Sequence, residues 1–326
     1  MAQYLLSGAA GFIAFRVAEL LMDAGHEVYG VDNLNDAYDV RLKEYRLARL
    51  KAYPNFHFKK ADIADREIID VLTEWLSPDI EGVINLAARA GVRTSLTDPW
   101  VYVDTNMTGT LNLLELCRRQ TIKKFVLAST SSLYAEESEP PFREDDDTEH
   151  PLQPYAATKK GAEALAHAYH HLYDIDVSVL RYFTVYGPAG RPDMVMFRFC
   201  KWIAEGEPVI VNGDGEQSRG FTYLDDIARG TIQALKPLNY ALINLGGHEV
   251  ITINHLIQML EKRIGQRAQV VHRTFHRADV RTNQADVTRA AELLDWQPEV
   301  NLEAGVDRLV DWYMQERAWA SQVELP

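Results

Sequence analysis

The chain has 326 residues, 47% hydrophobic and 25% charged, enough for one large core plus a smaller lobe and unlike a disordered or fibrous chain. Its 34 basic and 47 acidic side chains leave a formal charge of −13. That balance argues against nucleic acid as the partner, while a few arginines in a cleft can still reverse the local field for a small anion. No apolar run reaches the roughly 18 residues of a membrane span. Cys117 and Cys200 are too few and too far apart for a disulfide framework or a metal-ligand set. The start, "MAQYLLSGAAGF", lacks a basic leader and cleavage site, so a cytoplasmic protein is expected, without metal and without membrane attachment.

In chain order, "QYLLS" predicts a strand that begins almost at once, then a turn holding Gly8 and Gly11, then an amphipathic helix over Phe15–Ala24. Glycine suits such a turn because it is tight and lets backbone approach a pyrophosphate closely. The helix N-terminus then presents unpaired N–H groups to the anion. The spacing is Gly-x-x-Gly-x-x-Ala, with Ala14 at the third position.

The next strand, "EVYGVD", ends in Asp32, about 20 residues beyond Gly11, where a carboxylate can accept from an adenosine ribose and repel a 2′-phosphate. This favours NAD over NADP. The third run, "FHFKKAD", ends in Asp62, which is read either as a contact to the adenine edge or as a helix N-cap.

A helical pattern over Arg66–Leu76 precedes the strand "GVINLAA", and another covers Tyr102–Arg119. The strand "KFVLAS" then runs into Thr130, Ser131 and Ser132 at the carboxyl edge of the expected sheet, where ligands bind in open α/β sheets. The acidic run Glu144–Glu149 reads as a solvated loop. Over Pro154–Tyr173 a helix carries Tyr155 and Lys159 four residues apart, hence on one face. Tyrosine titrates near pH ~10, but a neighbouring ammonium and a positively charged nicotinamide ring both favour the phenolate, which makes it a usable base. With 15 tyrosines in the chain the spacing alone is weak, and its place after the fifth strand carries the weight.

The last clear strand of this series is "VSVLRYF". These near-continuous apolar runs, alternating with helices, predict an α/β fold with a doubly wound parallel sheet. After Phe183 the rhythm turns irregular: "YGPAGRPDM" and "NGDGEQSRG" read as cleft walls, with helices over Asn254–Ile264 and Leu302–Gln315. Residues 1–181 with about 220–250 are expected to form the dinucleotide domain. About 182–219 with 251–326 are expected to form a smaller mixed α/β lobe.

The residues "NLAARAGV", "STSSLYA", "YAATKK", "RYFTVYGP" and "FTYLDDIA", together with the glycine turn, resemble the extended short-chain dehydrogenase/reductase family from Tyr4 to about Tyr313. Within that family, "VDNLNDAYDVRLKEYRL", "AGVRTS", "YAATKKGAE" and "FTVYGPAGRPDM" look most like the UDP-glucuronate 4-epimerase branch. The resemblance implies a Rossmann-like domain with bound NAD, Tyr155 as base, Lys159 holding the ribose, and Thr130 at the Ser/Thr position. It places Phe12, Ile13, Asn33, Ile63, Leu86, Ala87, Ala88 and Asn106 along the cofactor, beside Gly8, Gly11, Asp32 and Asp62. A homodimer through the helices Tyr102–Arg119 and Pro154–Tyr173 is implied as well. Four positions depart from the family pattern: Ala14 for glycine, Arg89 for glutamine, Ala135 for glycine, and Gly220 for the aspartate after Arg219.

Ser131 and Ser132 stand where family dehydratases carry an acidic pair and UDP-xylose synthases a glutamate. The expected reaction is therefore inversion at carbon 4 of a UDP-sugar, by oxidation to a 4-ketone and reduction on the opposite face. A uronate substrate makes that ketone a β-keto acid prone to losing carbon dioxide, so its carboxylate must be held. Arg191 suits that bidentate grip, with Thr184 assisting; a surface loop arginine is the alternative reading. Arg93 and Ser95 are further candidate sugar contacts, with Ser131 and Ser132 beside the reacting alcohol. Arg219 is assigned to the diphosphate, with a structural ion pair as its alternative, and Asp279 to the nucleotide ribose or to solvent. Three other functions stay open: a UDP-glucose/UDP-galactose 4-epimerase, a UDP-glucuronate decarboxylase, and a non-catalytic NAD(H) sensor. A sensor would need the glycine turn but no base.

Overall fold

The computed structural model describes residues 1–134, 139–247, 249–274 and 282–325. Ala135 and Asp279 lie outside the described residues.

The first half alternates strand and helix: β1 (Gln3–Ser7), α1 (Phe12–Asp23), β2 (Glu27–Asp32), α2 (Arg41–Leu50), β3 (Phe56–Lys60), α3 (Ile68–Trp75) and β4 (Ile80–Asn85). A short helix α4 (Trp100–Tyr102) then widens into a π-helical stretch, Val103–Thr108, before α5 (Gly109–Gln120). Next come β5 (Lys124–Thr130), α6 (Pro154–Tyr173) and β6 (Asp176–Tyr182). All seven residues of β5 are buried, as its run of apolar side chains on both faces requires. Helix α6 begins where Gln153 caps the N–H of Ala156 at 2.8 Å and Pro154 supplies a preset φ. It ends where Asp174 turns left-handed.

The second half holds β7 (Thr184–Tyr186), α7 (Val195–Glu205), β8 (Pro208–Asn212), β9 (Ser218–Tyr223), α8 (Leu224–Gln233) and β10 (Tyr240–Leu245). It continues with β11 (Glu249–Thr252), α9 (Ile253–Ile264), β12 (Gln269–Arg273), α10 (Thr288–Leu294), α11 (Leu302–Gln315) and α12 (Arg317–Ala320).

Seven parallel strands form the main sheet in the order β10-β6-β5-β4-β1-β2-β3. The expected doubly wound sheet is present, with β10 as a seventh strand from the region read as irregular. The order reverses between β1 and β4, so connections leave in opposite directions and open a crevice at the carboxyl ends there. One face is covered by α1, α8 and α10, packed through Phe15, Leu21, Ile227, Leu294 and the fully buried Trp296. The other carries α3, α5 and α6 over Leu72, Leu116, Phe125 and Val179. Each such fully buried large side chain contributes about 1.5–3 kcal/mol.

The smaller sheets are β11-β9-β7 and β12-β8, and their core joins α7, α9 and α11 through Phe197, Phe221, Leu256, Trp312 and Tyr313. Domain membership is therefore finer-grained than the sequence boundaries. Gly220–Tyr223 belongs to a small sheet, whereas α10 and Trp296, assigned from sequence to the lobe, pack on the main sheet. The reason is that an apolar helix face follows whichever sheet it can cover, not its neighbours in sequence. Among the described residues no helix is long and apolar enough to cross a membrane.

Candidate active site

The β1–α1 turn is built for close approach. Gly8 has φ +71°, and a Cβ there would lie 2.8 Å from the backbone of Ala87. The N–H of Gly11 donates to the Gly8 carbonyl at 2.7 Å, and a Cβ on Gly11 would lie 2.7 Å from that oxygen. No side chain caps α1 at Gly11, so its first-turn N–H groups face the crevice. Asp32 accepts from the N–H of Ala10 at 3.1 Å and of Leu34 at 2.8 Å, which locks the turn to the end of β2. Ala14, at the third position of the turn motif, is 2% exposed and packs within the helix–sheet core.

Asp62 uses both oxygens: one accepts from the N–H of Ala64 at 2.9 Å, the other from Asn33 Nδ2 at 2.7 Å. The first bond is a local turn and does not cap α3, which begins only at Ile68. Ile63 lies buried in the core and packs under Gly109. Leu86, Ala87 and Ala88 follow β4 directly, and Phe12 and Ile13 open α1. The cradle that a Cβ would fill, the uncapped helix start and the carboxylate at the end of β2 fit a dinucleotide.

Two residues of α2 were missed from sequence, where its basic residues hide the helical periodicity. Lys43 is 5% exposed, donates to Asn35 Oδ1 at 2.9 Å and sits 5.1 Å from the Tyr38 ring centroid. Burial pushes its ammonium down to about 8, against the pull of Asp32 and with help from Arg46 and Arg89. Arg46 is fully buried and donates to the carbonyls of Ala10 and Ala189 and to the Tyr38 hydroxyl.

Tyr155 and Lys159 share one face of α6, below the end of β5. Burial raises the Tyr155 phenol above its ordinary value, while a hydrogen bond from the Thr130 hydroxyl and the charge of Arg191 pull it back. Thr130 itself accepts from the N–H of Ser132 at 3.1 Å, which fixes its hydroxyl. Lys159 follows one turn further along the same helix. Lys159 is 2% exposed and makes no hydrogen bond among the described residues. Burial pushes it down to about 8, opposed by Glu163. A buried ammonium with unmet donors fits ribose hydroxyls.

Asn106, expected along the cofactor, has protein partners at both ends of its amide. Fully buried in the π-helical stretch, it donates to Thr158 Oγ1 and to the Arg89 carbonyl, each at 3.0 Å, and accepts the Arg89 N–H at 2.9 Å. It thus ties the loop after β4 to α6 one residue before Lys159. Substitution at Arg89 leaves this intact, because the bonds run to its backbone. π-Helical turns often mark functional positions.

On the opposite side, Arg191 donates through Nε to Asp193 Oδ1 at 3.0 Å and through Nη2 to Oδ2. Its Nη1 makes no hydrogen bond among the described residues. The side-on face of the fork is therefore held by Asp193, and a substrate carboxylate has only the end-on face. Arg191 lies close enough to influence Tyr155. Thr184 opens β7, half-buried. Ser131 accepts from Asn283 Nδ2 at 3.3 Å.

Ser95 is a correction: it is fully buried and donates to the Val92 carbonyl at 2.7 Å, so it shapes the loop rather than meeting sugar. Arg93 sits near Arg198, a residue that sequence reading missed. The Nε of Arg198 is buried without a hydrogen-bond partner among the described residues; burial above all, then the charges of Arg93 and Arg273, lower its titration, and Asp193 opposes them. A buried Nε without a hydrogen-bond partner, with two further cations nearby, suits a phosphate. Arg219, on β9, donates from Nη1 to the Ser218 carbonyl at 2.7 Å. At Gly220 a Cβ would lie 2.4 Å from the Gly247 carbonyl oxygen, and its N–H donates to the Asn283 carbonyl at 2.7 Å. The glycine is what lets these three segments meet.

Residues 4–246 match the model of the NAD dependent epimerase/dehydratase family. The chain is 58% identical over 313 residues to a UDP-glucuronate 4-epimerase of Thermodesulfobacterium geofontis, with 96% of each chain covered. It superposes with a TM-score of 0.90 on the UDP-glucuronic acid 4-epimerase of Bacillus cereus, solved with UDP-glucuronic acid and NAD, at 37% identity over 96% of this chain and 99% of that one. A UDP-glucose 4-epimerase of Thermotoga maritima, solved with UDP-glucose, gives 0.89 at 31% identity, covering 97% and 99%.

Proposed function

The chain belongs to the NAD dependent epimerase/dehydratase family and inverts carbon 4 of a UDP-sugar with NAD; we propose that UDP-glucuronate, converted to UDP-galacturonate, is its substrate. The observation that carries the uronate is Arg191, placed within electrostatic reach of Tyr155, with Nη2 shared between Asp193 and the Ala90 carbonyl and Nη1 without a hydrogen bond among the described residues. A neutral hexose gives such a cation nothing to hold beside the reacting carbon.

NAD, when bound, takes the hydrogen of carbon 4 with its electron pair and returns it to the opposite face. The protein's own groups do the rest. Tyr155 takes the proton of the 4-hydroxyl and later gives it back. Thr130 orients that exchange through its hydrogen bond to the phenol. Lys159 holds the cofactor ribose and contributes positive charge to the site. Gly8, Gly11, Phe12 and Ile13 admit the pyrophosphate; Asp32, Asn33, Asp62 and Lys43 frame the adenosine; Leu86–Ala88 line the path to the nicotinamide. Ser131, Ser132 and Thr184 contact the sugar, and Arg93, Arg198 and Arg219 the diphosphate.

Arg191 has a second task. With the carboxylate held in the plane that keeps its C–C bond out of alignment with the ketone, loss of carbon dioxide is slowed relative to reduction. The absence of an acid at Ser131 and Ser132 supports epimerisation over dehydration. A cytoplasmic homodimer is the proposed assembly. Apolar side chains left exposed near the helices meant to pair support it: Leu96, Trp100, Val103 and Leu172, with Trp100 77% exposed.

The test is turnover of UDP-glucuronate and UDP-glucose side by side, with products resolved by chromatography and mass. UDP-galacturonate as the main product is expected. Preference for UDP-glucose would select the hexose reading, and UDP-pentose with carbon dioxide the decarboxylase.

A further inference from the structure

Behind Lys159 lies a buried polar network that the catalytic assignment leaves unused. Glu163, one turn further along α6, is 4% exposed. Arg181, at the carboxyl end of β6, is 2% exposed and grips it with both arms, Nε to Oε1 at 3.0 Å and Nη2 to Oε2 at 2.9 Å. Ser129, the residue before Thr130, donates to Oε1 at 2.6 Å. Arg181 continues through Nη1 to the Tyr134 hydroxyl at 3.3 Å and the Glu144 carbonyl at 3.2 Å. One carboxylate therefore gathers three elements: the helix of Tyr155 and Lys159, the strand that delivers Thr130, and β6.

We propose that Glu163, balanced by Arg181, is a positioning residue that sets the charge state of Lys159 and the placement of Thr130 against Tyr155. The inference rests on the reading of Tyr155 and Lys159 as the catalytic pair.

First, a fully paired buried salt bridge adds little net stability over apolar residues of the same shape, so its presence beside a catalytic lysine asks for another reason. Second, an ammonium at 2% exposure with no hydrogen-bond acceptor depends on nearby charge to stay protonated. Of the charged groups around it, Glu163 is the one that favours the ammonium. Its own helix otherwise presents the neutral Tyr155. The strand β5 brings the hydroxyls of Ser129 and Thr130, and the π-helical stretch brings the amide of Asn106. From β6, Arg181 pairs with both oxygens of Glu163, and its positive charge offsets the carboxylate's field. Removing either member of the pair should then move Lys159 in opposite directions.

The experiment uses the NAD-loaded enzyme and the pH dependence of kcat for UDP-glucuronate. Activity requires the ammonium, so it falls as pH rises through the Lys159 titration. In Glu163→Gln the favourable charge is gone, and this alkaline fall should begin about one pH unit lower. In Arg181→Met the carboxylate stands unbalanced, and the fall should begin at higher pH. Ser129→Ala should reduce kcat several-fold, leave KM unchanged and leave the alkaline fall where it was. A purely structural pair would lower thermal stability in both variants and move neither limb. Unmoved limbs, or shifts of the same sign, overturn the proposal. Should Glu163→Gln fail to fold, Arg181→Met alone decides: no shift, or a downward one, overturns it. Lys159→Met separates the two levels, since appreciable activity there would overturn the catalytic reading itself.

Discussion

Arg46 reaches from α2 to the carbonyl of Ala189, donating from Nε at 3.0 Å and from Nη2 at 2.7 Å. Through Nη1 the same guanidinium holds the carbonyl of Ala10 at 3.0 Å. It thereby fastens the phosphate turn to the loop that carries Arg191, and it holds Ala189 in a left-handed conformation with φ +52°. Arg46→Met removes all these donors and leaves buried carbonyls unmet. Each such charge-assisted bond contributes about 1.5–3 kcal/mol, so a fall in Tm of several degrees is expected, along with a lower kcat from the loosened Arg191 loop. Calorimetry and steady-state kinetics check the pair of effects; an unchanged Tm would remove Arg46 from this role.

The cradle at Gly8 predicts that the protein retains NAD through purification. Gly8→Ala combines a disfavoured φ with a Cβ 2.8 Å from Ala87. A penalty of only ~1.4 kcal/mol already weakens binding tenfold, so at least that loss is expected. Dinucleotide released on denaturation and quantified enzymatically gives the answer. Recovery of NADP instead of NAD from the wild type would contradict the role given to Asp32.

For Tyr155, the direction of its titration matters. Burial holds the phenol high and the Thr130 hydrogen bond opposes that rise. The base acts as phenolate, so activity grows as pH rises through this titration. Thr130→Val removes an opposing influence, which should move the acidic limb of kcat upward by about one pH unit. Tyr155→Phe should cost on the order of 10²–10⁴-fold in kcat while NAD stays bound. A loss below tenfold would give the proton to another residue.

Arg191→Ala should lower turnover of UDP-glucuronate far more than that of a neutral UDP-hexose. Losing a charge-assisted bond of about 1.5–3 kcal/mol corresponds to roughly 10–150-fold in transition-state binding. The released carboxylate should also align with the ketone more often, so carbon dioxide per turnover should rise. Substrate labelled at the carboxyl carbon reports both products in one reaction. Uronate epimerisation at the wild-type rate with no added carbon dioxide would end the case for Arg191.

The parts of the molecule governed by local rules were legible in sequence. Apolar runs of strand length between amphipathic helices fix a parallel sheet covered on both faces. The glycine turn before α1, Asp32 at the end of β2, and Tyr155 with Lys159 at helical spacing each depend on a few neighbouring residues. Where chemistry depends on segments distant in the chain, tertiary structure decided it. Ser95, a plausible sugar contact by type, is fully buried once the chain has folded and spends its hydroxyl on the Val92 carbonyl. Gly220, which looked like a missing aspartate, is the point where the backbones at Gly247 and Asn283 close in. Lys43 and Arg46, ordinary basic residues in sequence, become buried cations because the fold sets them against Asn35, Tyr38, Ala10 and Ala189. The Arg191 fork is held by Asp193 two positions away, yet its Nη2 also meets the carbonyl of Ala90, 101 positions back, and Glu163 is gripped by Ser129 and Arg181 from two separate strands. Burial and partner geometry set the charge and reach of a polar side chain, and neither exists until the chain has closed on itself.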